Sequence, residues 1–406
     1  MNKSIKILLI IIIIVLSILT ITIKKHSKVQ TNELVFWTLQ MNDFSEYMNK
    51  VITDFEKENP NIKIKWVDVP FSEGEKRTLA AVLSDNPPDL INLNPDFSAL
   101  LAERGALYEI DDNFTAQYNK SITNSLRYNG KLYSLPWYAT SAVTIYNKEL
   151  LSKSKFDLPK TYNDILNMAA TIKSETGTFV MLPNITENDT MARILNKYGT
   201  GVQNIDSEKS KEVFNIFKTL YENEYIPKES ITQTHREALE KYMSGQIVFF
   251  QAGANFLNMI RENAPSIYEV TDVSNQLTGD FGNYDFSLMN LVIPEKSKHK
   301  DDAIKFALFL TNTENQLELA RLTNILAVNE TALQDDFYTK YDKSDKLAKA
   351  RAISAKQLNN VEPAYHTARN QKEINTLINS AVQEILSGKT SVDKALENLA
   401  LKLKEL

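Results

Sequence analysis

Leu34-Val-Phe-Trp37-Thr-Leu-Gln40-Met-Asn-Asp43-Phe-Ser45-Glu-Tyr-Met48-Asn-Lys-Val51-Ile52-Thr-Asp-Phe55-Glu-Lys-Glu-Asn59-Pro60-Asn-Ile62-Lys-Ile64-Lys-Trp66 changes its hydrophobic period twice. Leu34 to Trp37 is a short apolar run, which reads as a buried strand by length and composition. From Ser45 onward Met48, Val51, Ile52 and Phe55 recur at helical spacing. Asn59-Pro60 ends that helix, because the residue before a proline is pushed out of the helical region. Ile62, Ile64 and Trp66 then alternate with lysines, as in a strand with one more polar face. Strand, helix and strand over about thirty residues make a βαβ unit, so the fold class is α/β with a parallel sheet.

The alternation continues downstream. A helix is expected around Lys76 to Leu83, then Pro87-Pro88 and the apolar strand Asp89-Leu-Ile-Asn-Leu93. Asn129-Gly130, between Leu126-Arg-Tyr128 and Leu132-Tyr-Ser-Leu135, reads as a two-residue hairpin turn, since both residues tolerate positive φ. Ala142-Val-Thr-Ile-Tyr146 is extended and Asn147 opens a helix. Thr161-Tyr-Asn-Asp164 after Pro159 is a capping-box pattern. From Asn163 to Glu262 the pattern is mostly helical, interrupted by one strand, Gln246-Ile-Val-Phe-Phe-Gln251. A strand from Phe286 to Ile293 and an apolar helix from Ala303 to Leu310 follow. Two helices, about Ile374 to Leu386 and Val392 to Leu403, close the chain.

Upstream lies an almost pure aliphatic block from Ile7 to Ile23, behind Lys3 and Lys6. As a helix it would be about 25 Å long, near the lower limit for a bilayer core of roughly 30 Å. It also fits the apolar region of an export signal, but no small-x-small cleavage pattern follows it. The chain has no Cys, so a lipid-modified cysteine is impossible. An uncleaved N-terminal membrane-anchor helix with the body outside the cell is the preferred reading. Lys24, Lys25 and Lys28 flank the far side, so loop charge does not fix the orientation.

The 406 residues, less the leader, suit two lobes better than one core. Lys plus Arg number 46 and Asp plus Glu 51, a balance that gives no sign of nucleic acid as a partner. The absence of Cys excludes disulfides, thiolate metal sites and a cysteine nucleophile. The four His are far apart in sequence and none pairs at H-x-x-x-H spacing, so no metal site is expected. No Walker-type phosphate loop is present, and no cofactor is expected.

These segments resemble, in order and spacing, the extracellular solute-binding proteins of ATP-driven importers, the group that includes sugar- and maltodextrin-binding proteins. The resemblance begins with Leu34-Val-Phe-Trp37 and Phe55-Glu-x-x-x-Pro60-x-Ile62. It runs through Pro88-Asp89, Gly105-Ala-Leu107, Gly130-Lys-x-Tyr133-x-x-Pro136, Tyr146-Asn-Lys148 and Leu158-Pro-x-Thr161. Met243-x-Gly245, Gly253, Ala303-x-x-Phe306, Gln316 and Ser387-Gly388 complete it. It implies an α/β, two-lobed, periplasmic-binding-protein-like fold of type II with three inter-lobe crossings, near Trp137 to Thr140, Asn283 to Ser287 and Val328 to Ala332. The first lobe would join 33–138 to 288–328 and the second 140–284 to 332–406, after a signal or anchor in 1–32. Ligand would be captured between the lobes by hinge closure. The resemblance further implies a carbohydrate ligand, an oligosaccharide by expectation, and a permease with a separate ATPase as partners. A monomer that catalyses nothing is expected.

Such a cleft needs flat aromatic faces for sugar C–H groups, with carboxylates or amides for hydroxyls. Trp137 and Tyr138 follow Pro136 at the first crossing and are read as cleft walls in preference to hinge packing. Trp37, at the end of an apolar strand, is expected to pack beneath the site. The loop after it is at the C-terminal end of a parallel strand, where ligands bind in open α/β sheets. Gln40 and Asp43 are its candidates, although Asp43 and Ser45 could equally cap the next helix. Asn94 and Asp96 occupy the same kind of position after Leu93, and Asp96 aligns with a ligand-binding acid of sugar-binding relatives. Asn255, in Gly253-Ala-Asn255, stands where relatives often carry a stacking Trp, a departure from the maltodextrin pattern. Tyr284 and Tyr365 are further aromatic candidates.

Other classes stay open on the residues alone. An exported glycosidase needs two carboxylates about 5–10 Å apart, a role Asp43 and Asp96 could fill, but no hydrolase motif accompanies them. A metal-importer component would carry adjacent tyrosines or clustered His. A surface sensor or partner-binding module reusing the fold fits the anchor as well as transport does. Neutral sugar binding ranks first.

Overall fold

The computed structural model describes residues 32–323, 325–364 and 370–406. The expected anchor over 7–23 and the candidate Tyr365 lie outside the described residues. Among the described residues no helix is long and apolar enough to cross a membrane.

The strands among the described residues are, in chain order, β1 Asn32–Leu39, β2 Ile62–Val69, β3 Leu90–Leu93, β4 Arg127–Tyr128, β5 Lys131–Leu132, β6 Ser134–Thr140, β7 Ala142–Asn147, β8 Phe179–Met181, β9 Ile247–Gly253, β10 Thr271–Ser274 and β11 Ser287–Val292. The opening stretch folds as its periods dictate. β1 pairs in parallel with β2, from Asn32 against Ile62 to Leu39 against Val69, around the helix Ser45–Glu58. That helix buries Met48, Val51 and Phe55. The hairpin β4–β5 turns on Asn129 and Gly130, both at positive φ (50° and 79°). Thr161 and Asp164 form the expected capping box on the helix Tyr162–Thr176. The strands β8 and β10 fall in stretches for which no strand is expected. β8 has only three residues between helical patterns, too short for a period to declare itself.

Two sheets result. The first has the order β2-β1-β3-β11-β6, the second β10-β7-β9-β8. The first is parallel through β2, β1 and β3 but mixed overall, because β11 runs antiparallel to both β3 and β6. Each sheet carries apolar packing on both faces. On the first, Leu34, Phe36, Phe55, Trp137 and Phe306 share one core, and Ile91, Leu93 and Phe97 another. On the second, Tyr162, Leu195 and Phe217 pack with the C-terminal helices, and Ile145, Phe250 and Leu257 on the opposite side. Two lobes, each a sheet between helical layers, account for this arrangement.

The registers locate the junction. β6 ends at Thr140, opposite Ser287 at the start of β11, and Asn290 of β11 faces Leu93 at the end of β3. In the second sheet β7 begins at Ala142, opposite Gly253 at the end of β9. The C-terminal ends of β1, β3, β6, β8 and β9 therefore converge on the short link at Ser141. The second link occupies the segment between Ser274 and Ser287. The third differs from expectation. Ala332, Leu333, Tyr338, Ala355 and Leu358 still pack in the first lobe's core, while Ala350 packs against the second sheet. The helix Lys346–Gln357 thus touches both lobes, and the chain joins the second core only at Ile374.

Candidate functional site: the cavity between the sheet edges

A cavity of about 400 Å³ opens where the two sheet edges meet, within the ~300–1,000 Å³ range of small-molecule sites. Thr140, Ser141 and Ala142 form its floor. Asp285 to Ser287, at the end of the second link and the start of β11, line one side, and Asp189, Arg193, Gly253 and Asn255 of the second lobe the other. Local chemistry explains each placement. Asn184 and Asn188 adopt positive φ (48° and 52°), which asparagine tolerates, and turn the chain from β8 into the helix Thr190–Lys197. Asp189 and Arg193, one helical turn apart, then share a face. Gly253 ends β9, where a Cβ would lie 2.6 Å from Asn255 Oδ1, so a side chain there would push the exposed Asn255 side chain aside.

The charged groups form one cluster. Arg193 donates from Nε to Asp189 Oδ2 at 2.8 Å and from Nη1 to Glu362 Oε1 at 2.9 Å. Lys197, 2 % exposed, pairs with Asp285 Oδ1 at 3.1 Å and donates to the Leu277 carbonyl at 2.9 Å. Burial acts to raise the Asp285 carboxyl, but Lys197 and Arg193 outweigh it and hold the group below its ordinary range. Glu362, 1 % exposed, goes the other way: burial first, then the Asp285 charge, push it up to about 7. The cations therefore favour one carboxylate over the other. Arg193 is held more firmly charged than usual, because Asp189, Glu362 and Asp285 outweigh its burial.

Beneath this cluster a neutral network ties the links together. Ser141 Oγ accepts from Gln276 Nε2 and from Gln357 Nε2, both at 3.0 Å. Gln357 Oε1 in turn accepts from the Gln276 backbone at 2.8 Å, and Ser354 donates to the Ser141 carbonyl at 3.0 Å. All four residues are buried. One residue from each link region thus meets at a single hydroxyl.

Of the residues singled out by sequence, Asn255 lines the cavity and is exposed. Gln40 and Asp43 are exposed just past the end of β1, and Gln40 takes a left-handed φ of 53°. Neither Asp43 nor Ser45 caps the helix Ser45–Glu58. Asn94 does cap: its Oδ1 accepts from the Phe97 backbone at 2.8 Å, and Asp96 lies half-buried in the same first turn. Tyr284 sits on the second link, its hydroxyl accepting from Asn275 Nδ2 at 3.0 Å. Trp137 is the correction. It is 0 % exposed, edge-on to Phe36 at 6.0 Å and to Tyr138 at 5.2 Å, and it forms part of the first core. Hinge packing, and not a cleft wall, describes it in this conformation. Tyr138 is half-buried, and its hydroxyl is pushed up to about 12 by burial.

Sequence reasoning passed over Asp189, Arg193, Lys197, Asp285 and Glu362. The acid-base-base spacing Asp189-x-x-x-Arg193-x-x-x-Lys197 was a usable signal, since residues four apart share a helix face. Asp68 was missed as well. It accepts from Thr38 Oγ1 at 2.5 Å and from the Met41 and Asn42 backbones at 2.9 and 3.1 Å, and so shapes the loop that carries Gln40. Among the described residues no group of three or more His, Cys, Asp or Glu is arranged to hold a metal ion.

Comparison with known proteins agrees with this architecture. A periplasmic-binding protein from Synechococcus sp. MITs9220 superposes with a TM-score of 0.77 at 27% identity, over 92% of this chain and 98% of that one. The sugar-binding protein MalE from Xanthomonas citri gives 0.73 at 21% identity, over 92% and 97%. In sequence, the galactooligosaccharide-binding protein of Bacillus subtilis (strain 168) is 22% identical over 393 residues, 92% of this chain and 89% of the relative. Residues 50–346 match the family model for bacterial extracellular solute-binding proteins, and the chain, with its two lobes and the cavity between them, belongs to that family.

Proposed function

We propose that this protein is the substrate-binding component of an ATP-driven importer and captures a neutral carbohydrate, an oligosaccharide, between its lobes. The observation that carries the reading is the cavity at Ser141, which takes groups from the ends of both sheets, so a ligand there bridges the lobes and favours their closure. The charges around it are largely matched to each other: Asp189, Asp285 and Glu362 face Arg193 and Lys197. A matched cluster offers donors and acceptors to hydroxyls without selecting a net charge. Relatives whose names specify sugars support the same class.

In this reading Asn255, Arg193 and Asp285 meet the ligand directly. Gln40, Asp43, Asn94, Asp96, Tyr138 and Tyr284 approach from the rims, and Trp137 supports Tyr138 from below. The first lobe is taken as 32–140 with 287–340, the second as 142–274 with 371–406, and Lys346–Gln357 as the connector. Residues 7–23 anchor the protein at the outer face of the membrane. Transport draws on a separate permease and ATPase, the protein acts as a monomer, and no bond in the sugar is broken.

The test is thermal unfolding of the full-length protein against a panel of neutral and acidic oligosaccharides. A ligand at about a hundred times its dissociation constant stabilises the folded state by roughly 2.7 kcal/mol. A shift with neutral members is expected; shifts confined to acidic members, or sugar cleavage on incubation, would overturn the reading.

A further inference from the structure

A second cavity, of about 420 Å³, lies on the other side of the Arg193–Glu362 pair. It is built from the end of the helix Thr190–Lys197, the turn after it, the loop 279–283 and the start of the helix Gln371–Leu386. Its chemistry differs from that of the first. The carboxamides of Asn196, Gln203, Asn283 and Gln371 line it with the aromatic ring of Phe281, and among the described residues its single charged residue is Glu362, already engaged by Arg193.

Phe281 is 66 % exposed, yet its loop is fastened on both sides. Its backbone N–H donates to the Lys197 carbonyl at 3.1 Å, and Asn360 Nδ2 donates to the Gly282 carbonyl at 3.0 Å. The ring lies against Gly199, whose missing Cβ would stand 2.5 Å from the Phe281 ring. The aromatic face is thus held at the cavity by local structure, without being drawn into a core. Two amide oxygens that border the cavity, Asn283 Oδ1 and Gln371 Oε1, have no donor among the described residues. An aromatic face, a lining of carboxamides and, among the described residues, no charge beyond the engaged Glu362 together suit a neutral polyol ring, with C–H groups for the phenyl face and O–H groups for the amides.

We propose that this cavity holds the further sugar units of an oligosaccharide whose other end occupies the cavity at Ser141, with the Arg193–Glu362 pair at the border between them. The inference rests on the carbohydrate reading above.

The experiment is calorimetric titration of the full-length protein with disaccharide to hexasaccharide members of the maltodextrin, cellodextrin, chitooligosaccharide and galactooligosaccharide series. Phe281→Ala and Gln203→Ala are compared with the wild type; both side chains are exposed, so neither variant puts folding at risk. The wild type is expected to bind longer members of one series more tightly than the shortest. Phe281→Ala should weaken the long members about three- to tenfold, the span of an aromatic contact, and leave the shortest unchanged. Gln203→Ala should act in the same direction. A length preference that survives both substitutions, or equal affinity at all lengths, overturns this inference and leaves the carbohydrate reading standing. A wild type that binds no member of any series overturns both.

Discussion

The two sides of the junction are built on opposite principles. On the first-lobe side, Phe36, Trp137, Tyr138 and Phe306 lock together by shape, with Trp137 wholly sealed. On the second-lobe side, Asp189, Arg193, Lys197, Asp285 and Glu362 lock by charge, drawn from the helix Thr190–Lys197 and both later links. Apolar packing carries no titratable group and no charge to screen, whereas a charged cluster responds to pH and to ionic screening. The first side therefore fixes the platform, and the second is where solution conditions act and where the proposed ligand contacts lie.

The strongest way to break this contrast is Trp137→Ala. Removal of a sealed indole should cost about 3–5 kcal/mol of stability in urea unfolding, with ligand affinity little changed in the folded fraction. A large affinity loss at unchanged stability would return Trp137 to the cleft. Glu362→Gln comes next. Its carboxyl is raised from 4.5 to about 7, so the folded state binds that proton more tightly than the unfolded chain. The resulting stability is complete below about pH 4.5 and disappears as pH rises through about 7. Urea unfolding at pH 5 and pH 8 should show the wild type losing up to about 3 kcal/mol through this group, and the Gln variant keeping it. Asp285, depressed by Lys197 and Arg193, has the opposite sign, so acid should still weaken both proteins. An intermediate effect is expected for Gln357→Leu. It strips Ser141 Oγ of one donor and the Gln276 backbone of its acceptor, worth about 1–3 kcal/mol in the same assay. The smallest effect belongs to Asn255→Ala, an exposed group at the cavity. Stability should hold while affinity for the bound sugar falls about fivefold by calorimetry, the worth of about 1 kcal/mol.

What the sequence declares and what it conceals divide along the same line. The βαβ opening, the Asn129-Gly130 hairpin and the Thr161–Asp164 box were legible because each is written in neighbouring residues. Trp137 was legible as important but not as buried, since a large aromatic after a proline suits either wall or core. Only the partners Phe36 and Phe306, remote in sequence, decide the matter. Asp285 and Glu362 carry no local mark at all. Their significance comes from Lys197 and Arg193, brought to them by the second and third links. A cluster assembled across links is silent in any single window.

The placement of β11 has a consequence for how the protein is made. It lies inside the first sheet, between β3 and β6, and pairs Asn290 with Leu93. The second sheet, by contrast, draws all its strands from one continuous stretch, Ala142 to Ser274. Yet its apolar core waits for Ile374 to Ala400 from the last two helices. A chain emerging from its N-terminus can thus finish neither lobe early: the first core stays open until Leu358 arrives, the second until Ala400. Closing such distant pairings makes folding slow, and the half-made molecule shows wet sheet edges for most of its synthesis. Delivery across a membrane in an unfolded state is compatible with that order, because neither core is complete before Leu358 and the second waits for the last two helices.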